Sequence, residues 1–156
     1  KVQDVKARKA RGCDLAFDQN FSVTLSSRMP DGAKNEVTIR IAEIVPFLVM
    51  KGMALWDRYK EKDAYDIYFM ILYYPGGVPK LVSVFQPFKS NKLIREGLGK
   101  IRAKFKDVES PGPVWVTNFE EIDDEEEKER VKRDVFERVH AFLDALDIKS
   151  FSEVNK

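Results

Sequence analysis

Five charged side chains in the middle of the chain have the types and spacing for phosphate chemistry: Lys51, Arg58, Lys62, Asp63 and Asp66. Lys51 is the unusual one. On a helix its neighbours at three and four residues are Phe47, Leu48, Ala54 and Leu55, all apolar, so its stem lies in a hydrophobic stripe. The ammonium must then snorkel to water or meet a carboxylate, because an unpaired buried charge costs several kcal/mol. Arg58 follows two turns later on the same face, about 10 Å along the axis at 1.5 Å per residue, and extends a cationic row. Asp63 and Asp66 are three apart and show two carboxylates on one helix face. Plainer roles are open to both: Asp63 suits a helix cap or first turn, and Asp66 can pair with Lys62 at spacing four.

A second carboxylate pair precedes them. Asp14, Ala16 and Asp18 alternate with Cys13, Leu15 and Phe17, which reads as a half-buried strand with two carboxylates on its polar face. Such a pair suits a hard cation such as Mg2+, which takes one or two protein carboxylates when phosphates supply the rest. The polar outer face of an edge strand would look the same. A third feature is the interleaving of Phe85, Phe88 and Phe105 with Lys80, Lys89, Lys92, Arg95, Lys100, Arg102, Lys104 and Lys106. That pattern fits either a phosphate-contacting surface or the solvated side of an amphipathic helix.

Composition limits the alternatives. At 156 residues with 44% apolar side chains the chain can bury a core. With 27 Lys plus Arg against 26 Asp plus Glu, the total charge selects no polyanionic partner. One cysteine and one histidine exclude an internal disulfide and a Cys/His metal cluster, and the default location is the cytoplasm. No apolar run reaches the roughly 18 residues of a membrane span.

The elements that must position these residues follow from periodicity. Residues 1–11 form a basic arm or the end of a helix begun upstream. Phe21, Val23 and Leu25 alternate with polar residues, Ser26 to Gly32 supplies turn chemistry, and 37–41 alternates again, so 21–41 is an antiparallel hairpin. Helices are expected over 42–58, from Asp63 to Tyr74, from Pro79 to Phe85, from Asn91 to Asp107 and from Asp124 to Leu146. Ser110-Pro-Gly-Pro113 reads as a linker, and 147–156 as frayed. The fold class is α+β. Strands occupy 1–41, as a hairpin or part of a mixed sheet, and a helical bundle occupies 42–156.

The stretch Glu43-Ile-Val-Pro-Phe-Leu-Val-Met-Lys51-Gly-Met-Ala-Leu-Trp-Asp-Arg58-Tyr-Lys-Glu-Lys62-Asp63-Ala-Tyr-Asp66-Ile-Tyr-Phe-Met-Ile resembles the third motif of the AbiEii/AbiGii toxin family of nucleotidyltransferases. There a helical Lys is followed by Ala-Leu, Arg and a Lys/Arg-Asp-x-Tyr-Asp-Leu-Tyr sequence. The resemblance implies a polymerase-beta-like fold and Mg2+-dependent transfer of a nucleotide from a nucleoside triphosphate to an RNA, tRNA or protein acceptor, with a cognate antitoxin as a further partner. Lys51 would hold triphosphate charge with Arg58, Asp66 would be the motif's terminal carboxylate, and Asp63 would act as a base or orient Lys51. Asp14-Leu-Ala-Phe17 matches the family's strand carboxylate setting, with Asp18 as the substitute. The family's first motif, a Gly-Gly or Gly-Ser turn followed by Asp-x-Asp, is not reproduced. The chain alone is therefore expected to be inactive, with that motif supplied upstream of Lys1. The competing expectation is a non-catalytic nucleic-acid- or partner-binding module that uses Lys100, Arg102 and Lys104.

Overall fold

The computed structural model describes residues 11–151, so the expectations for 1–10 and 152–156 lie outside the described residues. The chain begins with a short helix α1 (Cys13–Asp18), followed by strands β1 (Asn20–Arg28) and β2 (Lys34–Ala42). Helices α2 (Ile44–Arg58), α3 (Glu61–Leu72), α4 (Gly77–Phe85), α5 (Lys92–Lys104), α6 (Pro111–Phe119) and α7 (Glu125–Ala145) follow, with a 3-10 turn over Gln86–Phe88. This is the α+β class: one hairpin, then a helical portion.

The hairpin pairs in the register the alternation demands. Phe21 faces Ile41, Val23 faces Ile39 and Leu25 faces Val37, so six apolar side chains share one face. The polar face carries Thr24 opposite Thr38, their hydroxyls 3.0 Å apart. The turn closes when the Met29 amide donates to the Ala33 carbonyl at 2.8 Å, with Gly32 in the left-handed region at φ 86°. No residue of either strand is buried.

Residues 13–18 correct the strand expectation. They form a helix, capped by Gly12 at φ 92°. A six-residue window explains the misreading, because Asp14 and Asp18 share one face of a strand but also lie about one helical turn apart. The Ser110-Pro-Gly-Pro113 linker is corrected as well. It starts α6, with Ser110 at the N-cap and Pro111 first in the helix, where a missing N–H costs nothing. Residues 147–151 are not frayed, since Ile148 is 4% exposed and the Phe151 ring meets Trp56 edge-on at 5.2 Å.

The core is helical. Leu48, Val49 and Leu55 of α2 pack with Ile67 and Ile71 of α3, Leu98 and Ile101 of α5, and Val139 and Phe142 of α7. Helices α2 and α5 meet at glycines: a Cβ on Gly52 would lie 2.2 Å from the Gly97 carbonyl oxygen. The α2–α3 connection is only Tyr59 and Lys60, with Tyr59 left-handed at φ 47°. That reversal folds the end of α2 onto the start of α3.

Candidate functional site

The reversal at Tyr59 brings the central charges together. Lys51 Nζ donates to Asp63 Oδ1 at 2.9 Å and to Asp66 Oδ2 at 2.5 Å. Arg58 grips the same Asp63 with two nitrogens, Nε to Oδ2 at 2.8 Å and Nη2 to Oδ1 at 2.9 Å. Lys62 closes the group on Asp66 at 2.7 Å. The buried-lysine argument thus finds its partners. Asp63 lies in the first turn of α3 and is 1% exposed. Lys60 takes the N-cap position of α3, and both Asp63 oxygens accept from cations.

Three cations face two carboxylates, so the corner holds one surplus positive charge, while the Arg58 and Lys62 side chains are 52% and 63% exposed. Burial alone would push the Asp63 carboxyl up, but the hydrogen bonds from Arg58 and Lys51 outweigh it and hold it below its ordinary 3.8. Burial would likewise pull the Lys51 ammonium down, and the bonds to Asp66 and Asp63 carry it above 10.5 instead. The signs give a pH prediction. Asp63 contributes stability that is present above about pH 4 and lost as pH falls through its lowered folded value; Lys51 contributes stability present below about pH 10 and lost as pH rises through its raised one. Urea midpoints are expected to hold level between these limits and fall outside them. Asp63→Asn should reduce the acid-side loss.

The structure does not bring Asp14 and Asp18 into this group as strand carboxylates. Both are exposed on α1, one turn apart. Among the described residues no cluster of three or more His, Cys, Asp or Glu side chains could hold a metal, and Asp63 and Asp66 are occupied by cations. The donor set present does not fit the implied Mg2+.

The basic helix is engaged within the fold. Lys100 is 7% exposed, 3.1 Å from Glu96, with its Nζ 5.1 Å from the Phe151 ring centre. Arg102 meets Asp144 at 2.6 Å. Lys104 sits among three rings, 4.2 Å from the centre of Tyr59, 5.1 Å from Trp56 and 5.9 Å from Trp115. His140 packs on Phe136 and hydrogen-bonds the Phe105 carbonyl at 2.7 Å.

Among the described residues, hollows at the surface lie elsewhere, with linings that do not include Lys51, Arg58, Asp63 or Asp66. One, of about 520 Å³, lies between α3 and the start of α7 and joins Tyr65, Phe69 and Tyr73 to Glu120, Glu121 and Asp123. Sequence reasoning missed it, although Tyr65, Phe69 and Tyr73 recur every four residues. No described helix is long and apolar enough to cross a membrane. Comparison with known proteins finds no matching family model, no matching curated protein and no matching solved structure.

Proposed function

We propose that this chain forms the triphosphate-binding part of a nucleotidyltransferase-like, toxin-type protein of the cytoplasm, acting on an RNA, tRNA or protein acceptor. One observation carries the reading: Lys51, Arg58 and Lys62 converge on Asp63 and Asp66 and leave one surplus positive charge, with the Arg58 and Lys62 side chains more than half exposed. Asp63 is the positioning residue. It fixes Arg58 with a two-pronged carboxylate pair, which leaves the remaining guanidinium N–H groups free to meet phosphate oxygens. Lys51 stays charged to high pH, so it serves as a constant counter-charge to a polyphosphate. Asp66, shared between Lys51 and Lys62, sets the height of the Lys51 ammonium. No step is assigned to a metal, since the described carboxylates do not assemble a site.

Equilibrium binding of a fluorescent nucleoside triphosphate to the chain tests this reading. Binding is expected to favour the triphosphate over the monophosphate and to weaken about tenfold in Lys51→Met and in Arg58→Met, with each variant's fold checked by circular dichroism. Folded variants that bind as the parent does would refute the site. The activity readout, taken on a protein that also carries the Asp-x-Asp motif, is incorporation of labelled nucleotide into an acceptor, lost in Lys51→Met and Asp66→Asn.

A further inference from the structure

The hollow between α3 and the α6–α7 loop combines two surfaces that rarely occur together without a guest. One wall carries the rings of Tyr65, Phe69 and Tyr73, tilted against one another at 5.7 Å and 4.8 Å, and Phe119 extends the row beyond the hollow at 4.7 Å from Tyr65. Three of the four are substantially exposed, with Phe69 at 41%, Tyr73 at 65% and Phe119 at 39%. A contiguous exposed aromatic strip marks an interaction surface more often than leftover core. The opposite wall carries Glu120, Glu121, Asp123 and Glu127. Of these only Glu127 is paired among the described residues, with Arg130 at 3.1 Å, while nearby Lys128 is held by Glu125. Partial burial and the neighbouring Glu127 keep the Glu120 carboxyl above its ordinary value, as expected where negative charge is crowded without a counter-ion.

We infer that this cleft docks an arginine-bearing segment of a basic protein partner. Ring faces attract cations, and carboxylates beside them neutralise the charge. A planar guanidinium does both at once: it stacks flat on Tyr or Phe and offers paired N–H groups to a carboxylate, which an ammonium cannot match. The fold already shows the first half of this contact at the end of the strip, where Lys62 Nζ lies 6.0 Å from the Phe119 ring centre. A cleft of about 520 Å³ is within the range of sites that hold a few side-chain-sized groups. Nucleic acid is repelled by the same carboxylates. The inference stands apart from the nucleotide reading, because none of its residues holds Lys51 or Arg58.

The test is fluorescence anisotropy with a labelled octa-arginine peptide, with octa-lysine and spermine for comparison. Octa-arginine is expected to bind more tightly than octa-lysine. The triple variant Glu120→Gln/Glu121→Gln/Asp123→Asn should weaken octa-arginine binding about tenfold, and Tyr73→Ala about threefold at an unchanged unfolding midpoint. A charge-matched variant, Glu36→Gln/Asp57→Asn/Glu137→Gln, should change binding far less. Equal losses in the two triple variants would reduce the effect to diffuse electrostatics and overturn the inference. So would indifference to Tyr73→Ala, or spermine displacing the peptide more effectively than octa-lysine does, which would make the cleft a polyamine site.

Discussion

Asp63→Ala is expected to destabilise the protein by about 3 kcal/mol, the low end of what removing one partner of a buried ion pair costs. The reason is the charge left behind. Asp63 is 1% exposed and accepts three hydrogen bonds, one from Lys51 and two from Arg58. Without it, Lys51 keeps only Asp66 and Arg58 loses its only ion-pair partner among the described residues. Arg58 can swing into water, since its side chain is already half exposed, and this keeps the cost below the upper end of the range. Lys51 cannot move as freely, with its stem between Phe47 and Leu55 and its side chain 19% exposed. Asp66→Ala should cost less, about 1 kcal/mol, because Lys51 keeps Asp63 and Lys62 returns to solvent. Urea unfolding of the two variants side by side provides the measurement. Equal effects, or a loss under about 1 kcal/mol at Asp63, would show that this carboxylate does not clamp the α2–α3 corner.

Gly52→Ala is expected to cost about 3 kcal/mol, the opposite sign from the usual result. In an exposed helix interior, replacing Gly by Ala gains about 1 kcal/mol through backbone entropy. Here the new methyl would sit 2.2 Å from the Gly97 carbonyl oxygen and 3.0 Å from Ile101 Cγ1. The first obstacle is backbone, so no rotamer relieves it. Helices α2 and α5 must separate, loosening Val49 and Leu98 around the contact, and overpacking of this kind costs 1–3 kcal/mol or more. Gly32→Ala offers a contrast. Nothing lies within 4 Å of its Cβ position, but its φ of 86° imposes a conformational cost of about 1 kcal/mol. A denaturant midpoint that rises in Gly52→Ala would show that the two helices can part without loss.

Much of this was legible in the sequence because particular residues left few options. The hairpin over 21–41 followed from Phe21, Val23 and Leu25 alternating up to a Pro-Asp-Gly turn. Lys51 could be singled out because four apolar neighbours made a solvated ammonium difficult. That Asp63 and Asp66 both reach it was not legible, since it depends on Tyr59 adopting a left-handed turn that its side chain does not favour. The α1 helix was misread because six residues are too few to separate a period of 2 from one of 3.6. Helix α6 was hidden because Pro and Gly mark turns and helix starts alike. In α6 their packing decides the matter, with Gly112 so close to the Phe105 ring that a Cβ would lie 2.6 Å from it. The basic stretch of α5 was ambiguous for a different reason: Glu96, Asp144 and the Trp56–Tyr59–Trp115 rings that engage it come from other turns and other helices.

Neither strand of the hairpin contributes a buried residue to the core, so the ribbon is expected to open independently of the helices. A two-stranded ribbon is marginal by itself, so its backbone amides should open to solvent exchange at far lower free energy than those of α2 or α7. Both tryptophans, Trp56 and Trp115, belong to the helical unit. Intrinsic fluorescence therefore follows the helices and is blind to the ribbon, and a single sharp fluorescence transition would say nothing about whether residues 20–42 are still paired.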